Sequence, residues 1–243
     1  MRLLFIRHGD PDYAVDGLTP TGQREAQLLA DRIAPMDIAE YYVSTMGRAL
    51  ATARPTLQKA GRTAKECDWL REFSIGVRRP DKEGALSAVP WDWLPQDWAK
   101  EPILLDREHW HEHPVFAEAN LKGAYDRVIA AFERVLAAHG YVRDGLCYRV
   151  ERQSTDTLAF FCHFGVSCVL MSRLMNVSPM VLWHSLAMAP SSVTTVYTEE
   201  RRPGIASFRA SAVGDISHLY CRGQEPSFAA RFCEVYGNGD RVD

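Results

Sequence analysis

Among six cysteines the chain has no Cys-x-x-Cys pair, and no apolar run approaches the roughly 18 residues that a membrane span needs. It has no internal repeat and no low-complexity stretch. Charge of one sign is also missing: 28 Lys and Arg stand against 31 Asp and Glu, for a net charge of −3. Each absence excludes something. Unpaired cysteines inside apolar runs, such as Cys162 after Phe161 and Cys168 before Val169, predict buried free thiols in a reducing compartment, not a disulfide frame. A mildly acidic balance gives no bulk electrostatic case for a nucleic-acid or membrane partner. The first residues read as a structural strand rather than a secretory leader. The expectation is a soluble, cytoplasmic protein with neither a nucleic-acid nor a membrane partner.

The remaining composition is that of an ordinary globular protein, with 47% hydrophobic and 24% charged residues. Leu3 to Ile6 predict a short buried strand that ends abruptly in Arg7-His8-Gly9. A turn-rich loop follows from Asp10 to Gly17. Thr19 is a suitable N-cap with Pro20 at the first helical position, and Ala26, Leu29, Ala30 and Ile33 supply an apolar face. Tyr41 to Val43 predict a second strand and Gly47 to Lys59 a second helix, which Pro55 is expected to kink or break. Lys65 to Leu70 predict a weaker strand. This alternation predicts one α/β domain over residues 1–243, a three-layer α/β/α sandwich with a largely parallel central sheet.

Between about Gly76 and Asn120 the texture changes to scattered prolines with Trp91, Trp93, Trp98 and Trp110. This segment is read as an insertion that forms a lid over one end of the sheet. Its tryptophans are expected mainly to pack, with substrate contact as the lesser alternative. His109, His111 and His113 lack a closed ligand set and are read as solvated or lid-surface residues. Beyond the insertion, Leu121 to His139 predict a long helix ended by Gly140, and Cys147 to Val150 and Thr157 to Phe161 predict strands. Val166 to Met175 and Ser178 to Trp183 predict helices, and Val193 to Tyr197 with Ile205 to Ala210 a closing hairpin.

Two apolar strands end in a histidine closely followed by glycine, at His8 and at His163. A third leads into a helix carrying Arg48, and a fourth into Arg71-Glu72. Neighbouring parallel strands bring their carboxyl ends to one cleft, which here would hold Arg7, Arg48, His8, His163 and Glu72. Such a set suits phosphoryl transfer. Guanidinium forks match phosphate oxygens, a neutral imidazole attacks phosphorus, and a carboxyl group with a raised pKa protonates the leaving oxygen.

The motifs carry a family resemblance. Arg7-His8-Gly9 resembles the R-H-G signature of the histidine phosphatase superfamily, also called phosphoglycerate mutase-like. Ser44 to Ala49 with Thr52-Ala53 is similar to its S-x-x-x-R-A-x-x-T-A element. Leu70-Arg71-Glu72 resembles its L-x-E segment, and His163 with Gly165 its second histidine. Leu18-Thr19 through Gly22 and Glu25-Ala26 is similar to the family's helix start.

The resemblance implies that His8 becomes phosphohistidine, that Arg7, Arg48 and His163 bind the phosphoryl group, and that Glu72 is the proton donor. Glu83 in the insertion is the alternative donor. It implies no cofactor and no metal. Phe164, between His163 and Gly165, departs from the family's usual His-Gly and bears on the width of the pocket. The loop Asp10-Pro11-Asp12-Tyr13 lacks the Gly-Trp pair of glycolytic mutases. These features favour a metal-independent phosphomonoester hydrolase acting on a small phosphorylated substrate. A mutase and a phospho-ligand-binding protein without turnover are the alternatives. Arg78 and Arg79 are candidates for reading further negative charge on the substrate, whose identity the sequence leaves open, as it does the oligomeric state.

Overall fold

A computed structural model describes residues 1–80 and 85–227, and the backbone of 234–235 and 238–241. Glu83 and Cys233 lie outside the described residues. Eight strands form one mixed sheet: β1 (Arg2–Arg7), β2 (Glu40–Ser44), β3 (Lys65–Cys67), β4 (Tyr141–Asp144), β5 (Cys147–Val150), β6 (Thr157–Cys162), β7 (Val193–Arg202) and β8 (Ile205–Asp215). Their spatial order is β3-β2-β6-β1-β7-β8-β5-β4. The four strands from β3 to β1 run parallel, while β1 to β7 and every pair beyond is antiparallel.

Side chains of the central strands divide by the two-residue strand period. Leu3 and Phe5 of β1 and Leu158 and Phe160 of β6 enter one apolar cluster, whereas Leu4, Ile6, Ala159 and Phe161 enter another. The second cluster is closed by helices α1 (Pro20–Ile33) and α2 (Gly47–Ala60), and the first by α3 (Leu121–Ala138), α4 (Phe164–Met175) and α5 (Pro179–Ser185). Helices therefore cover both faces of the sheet. Strands buried on both faces read as continuous apolar runs, which is what Leu3 to Ile6 and Leu158 to Phe161 are.

Local sequence explains most boundaries. Thr19 Oγ1 accepts a hydrogen bond from Gly22 N (3.1 Å), capping α1 above a buried face of Ala26, Leu29, Ala30 and Ile33. Asn120 caps α3 in the same way through Gly123 N (3.3 Å). After α3 the chain turns at Gly140, whose φ of 92° is the left-handed region that glycine enters without steric cost. Helix α4 is buried nearly all round, as its lack of a polar stripe requires.

Four expectations need correction. Pro55 does not break α2, which runs unbroken from Gly47 to Ala60. Packing of Ala49 and Ala53 into the second cluster outweighs one lost backbone hydrogen bond. The strand expected over Lys65 to Leu70 stops at Cys67 and becomes a 3₁₀ turn over Asp68–Leu70. Cys147–Val150 pairs with Tyr141–Asp144, a strand that the sequence reading did not mark, and with β8. The closing hairpin is longer than expected, because its distal ends leave the core and lose their apolar alternation while the ladder continues.

The segment from 76 to 120 consists of short pieces: a two-stranded pair (Val77–Arg78 with Leu86–Ser87), single turns of helix at Pro95–Trp98 and Pro114–Glu118, and 3₁₀ turns at Pro102–Leu105 and Trp110–Glu112. Its Trp91, Trp93, Leu104, Trp110 and Phe116 are buried in the first cluster. Among the described residues, no helix is long and apolar enough to cross a membrane. Cys67, Cys147, Cys162, Cys168 and Cys221 are free thiols, of which Cys162 and Cys168 are buried.

Candidate active site

Register decides where the polar residues meet. Arg7 pairs with Cys162, Val43 with Phe161 and Ser44 with Cys67, so the carboxyl ends of the four parallel strands lie at one level of the sheet. The segments that leave them carry His8, His163, Arg48 and Glu72. The ladder extends one step further, with His8 N donating to Cys162 O (3.0 Å). A cavity of about 300 Å³ opens at this edge and is lined by Arg7, His8, Tyr13, Arg48, Glu72, Ser74, Val89, Trp91, Asp92 and Phe164.

His8 is 3% exposed, and its Nδ1 lies 2.8 Å from the carbonyl oxygen of Gly9. A carbonyl only accepts, so this contact fixes the proton on Nδ1 and leaves the lone pair on Nε2. Gly9 is held in turn by its own N–H donating to Thr52 Oγ1 (2.9 Å), whose hydroxyl donates to Arg48 O (2.8 Å). Burial, and next the neighbouring Arg7 guanidinium, push the His8 pKa well below its ordinary value, so the ring is neutral near pH 7. Arg7 is anchored by donation from Nη1 to Met188 O.

Arg48 enters from the first turn of α2, a helix that has no side-chain cap of its own. Asp16 supplies what is missing. Its Oδ2 accepts from Gly47 N (2.7 Å) and its Oδ1 takes Arg48 Nη1 at 2.6 Å. Arg48 also lies over the Tyr13 ring, 5.5 Å from its centroid. Asp16 escaped the sequence reading. The signal for it was indirect, an uncapped α2 start preceded by an acidic residue in the first loop.

His163 is fully buried and does not line the cavity, although its ring centroid lies 5.1 Å from that of His8. Its Nε2 lies 2.8 Å from Ser44 Oγ, and Ser44 Oγ accepts from Met46 N (3.2 Å). Ser44 Oγ still has its own proton to donate, and donation to His163 Nε2 would place the imidazole proton on Nδ1. Nδ1 has no hydrogen-bond partner among the described residues. Burial, and then His8, Arg48 and Arg7, hold the His163 pKa well below its ordinary value.

Glu72 follows the 3₁₀ turn, and its Oε1 accepts from Phe73 N (2.9 Å) and Val166 N (3.1 Å). The carboxyl group thereby closes the open end of α4, whose preceding residue His163 gives no side-chain cap. Burial raises the Glu72 pKa, opposed by the N–H groups of Phe73, Gly165 and Val166 and by Arg7; burial prevails. The five residues expected to gather at the strand ends do gather there, four of them on the cavity wall. Asp10 is engaged elsewhere, accepting from Thr19 Oγ1 (2.6 Å) while its N–H donates to the buried Glu25 Oε2 (2.7 Å).

Several insertion residues depart from expectation. Trp91 packs and also lines the cavity, and Phe164 lines it with its ring edge-on to Trp91 (centroids 5.9 Å apart). Arg79 does not reach the cavity; it is buried and bridges to Asp92 at 3.1 Å, while the exposed Arg78 sits 3.6 Å from Glu118. His113 is not a surface residue but packs edge-on against Trp93, where aromatic contact outweighs the burial of its polar ring. His109 pairs with Asp106.

Comparison with known proteins agrees with this geometry. The chain is 36% identical over 67 residues to a Schizosaccharomyces pombe protein described as a "Probable phosphatase". The aligned stretch covers 24% of this chain and 32% of that protein, so it spans about a third of that relative's length. Among solved structures, a phosphoserine phosphatase from Entamoeba histolytica in complex with phosphoserine superposes with a TM-score of 0.61 at 17% identity, covering 90% of this chain and 98% of that one. A mycobacterial glucosyl-3-phosphoglycerate phosphatase gives 0.56 at 16% identity, with coverages of 88% and 98%. At such identities the likeness is one of fold. Residues 3–211 match the profile of the histidine phosphatase superfamily (branch 1), and the chain belongs to that family.

Proposed function

We propose that this chain is a metal-independent phosphomonoester hydrolase that forms phosphohistidine at His8. The observation that carries the reading is the tautomer of His8, with Nδ1–H tied to Gly9 O and the Nε2 lone pair left to attack at a cavity floor shared with Arg7 and Arg48. In the first step Nε2 attacks phosphorus, the P–O bond to the alcohol breaks, and Glu72 delivers its proton to the leaving oxygen. In the second, a water attacks the phosphohistidine and gives its proton to Glu72. The P–N bond breaks and its electron pair returns to Nε2.

Arg7 and Arg48 counter the charge on the equatorial phosphoryl oxygens. On this reading His163 adds a third donor through Nδ1, a nitrogen with no hydrogen-bond partner among the described residues. Arg48 must turn part of its fork from Asp16 to the phosphoryl group, or share it. The 76–120 segment acts as a lid within one domain, since Val89, Trp91 and Asp92 from it form part of the cavity wall. Free thiols on five described cysteines suit a reducing, cytoplasmic setting.

Rapid quench with an aryl phosphate tests the mechanism. The expected result is an acid-labile, base-stable phosphoprotein adduct together with released phosphate, with both abolished in His8→Ala. Retained turnover in that variant would falsify the assignment of the nucleophile. Tight phosphate binding with neither adduct nor turnover would identify a binding protein instead. Isomerisation of 3-phosphoglycerate faster than its hydrolysis would identify a mutase.

A further inference from the structure

The cavity that holds His8 differs at its two ends in burial and in charge. At the floor, Arg7, His8 and Arg48 are 4%, 3% and 6% exposed. At the mouth, Tyr13, Ser74 and Asp92 are exposed, and Val89, Trp91 and Phe164 supply the apolar part of the lining. Both cations among the described lining residues sit at the floor. The charge at the mouth is a carboxylate, that of Asp92.

Asp92 is held in place at a cost. Its φ of 69° lies in the left-handed region, which residues other than glycine enter with strain. The buried Arg79 fixes it there, donating from Nη1 to Asp92 Oδ2 (3.1 Å) and to the carbonyl of Trp91 (3.3 Å). A cation that the sequence offered for reading substrate charge is thus used to present a carboxylate at the rim.

We propose that the outer half of the cavity selects the alcohol part of the substrate, a flat and largely apolar ring without a second negative charge, and that Asp92 determines this specificity. The proposal rests on the phosphatase reading of the same site. With the phosphoryl group on the floor, the alcohol lies between Trp91, Val89 and Phe164. At about 300 Å³ the cavity is at the small end for ligand sites, which suits a small alcohol. A carboxylate or second phosphate on that ring would meet no described lining cation at the mouth and would face the half-exposed Asp92 carboxylate, whose pairing with Arg79 leaves a modest repulsion. A hydroxyl or ammonium there would find an acceptor.

A matched series of phenyl phosphate, 4-carboxyphenyl phosphate and 4-(aminomethyl)phenyl phosphate tests this at nearly constant ring size. The expected kcat/KM falls from the aminomethyl to the phenyl to the carboxy compound, with about a tenfold step at the last. Asp92→Asn should close most of that step. Ser74→Lys, a change at an exposed position of the mouth, should reverse it by supplying a cation, and it carries the test alone if loss of the Arg79 partner unfolds Asp92→Asn. Equal rates across the series, or a preference for the carboxy compound, would overturn the assignment to Asp92 while leaving the phosphatase reading intact. Absence of turnover and of adduct with every compound would overturn both.

Discussion

At the scale of single residues, two hydrogen bonds and one burial set the chemistry. Glu72 should hold its proton above the usual carboxylate range because burial raises its pKa, whereas His8 should stay neutral well below 6.5. Protonation of His8 on the acid side and deprotonation of Glu72 on the alkaline side then predict a bell-shaped profile of kcat/KM, displaced to acid pH. Glu72→Gln should lower the rate and remove the alkaline limb that the enzyme sets, once the second ionisation of the aryl phosphate, measured separately, is taken into account. An unchanged alkaline limb in that variant would return the proton-donor role to Glu83. Ser44→Ala should release His163 from its tautomer, with an expected loss of about tenfold in kcat. The ¹⁵N shifts of His163 in wild type and variant would show directly whether the proton leaves Nδ1.

At the scale of elements, the site depends on close approach where α4 begins. A Cβ built on Gly165 would overlap the Trp91 ring and stand 2.8 Å from Glu72 Oε1. Gly165→Ala should therefore destabilise the fold by roughly 1–3 kcal/mol and displace the carboxyl group, seen as a lowered Tm with a larger fall in kcat than in substrate affinity. If activity and Tm survive, Trp91 is a looser wall than its burial suggests.

This is also the scale at which the sequence was most readable. Buried strands ending in Arg7-His8 and Cys162-His163 disclosed themselves by an abrupt change of polarity, and the cap Thr19 by its chemistry. What stayed hidden depends on contacts between distant segments. Asp16 caps a helix that begins 31 positions later, Arg79 turns from the cavity to Asp92, and Pro55 is tolerated because its helix is packed. None of these leaves a local pattern, because the partner in each case is chosen by tertiary structure.

For the whole molecule, the buried neutral histidines make stability a function of pH. Unfolded imidazoles take up protons below about 6.5, while folded His8 and His163 resist until the pH is much lower. Over that window unfolding consumes protons, so these groups lower stability as pH falls from about 6.5 towards their folded values. Glu72 has the opposite sign, since its raised pKa favours the folded state most at low pH. His113, His184 and His218 share the sign of His8 and His163, and Glu25 that of Glu72, so five imidazoles against two carboxyl groups predict a Tm that falls between pH 7 and pH 5. The fall should be smaller in His163→Gln, and an equal fall in wild type and variant would assign the effect to other groups.

The position of β1 has a further consequence, for the order in which the chain can acquire structure. Phe5 pairs with Phe160, 155 positions further on, and with Thr194, 189 positions on. The strand that leads into His8 is made well before both of its neighbours. Contacts so distant in sequence are slow to form, and an apolar strand waiting for them is open to wrong pairing. Helices α1 and α2 are able to form while it waits, but the sheet closes around β1 only after Thr157–Cys162 and Val193–Tyr197 have been made. Maturation of the site is therefore a late, all-or-none event, and nascent chains arrested before residue 157 should bind no phosphate analogue.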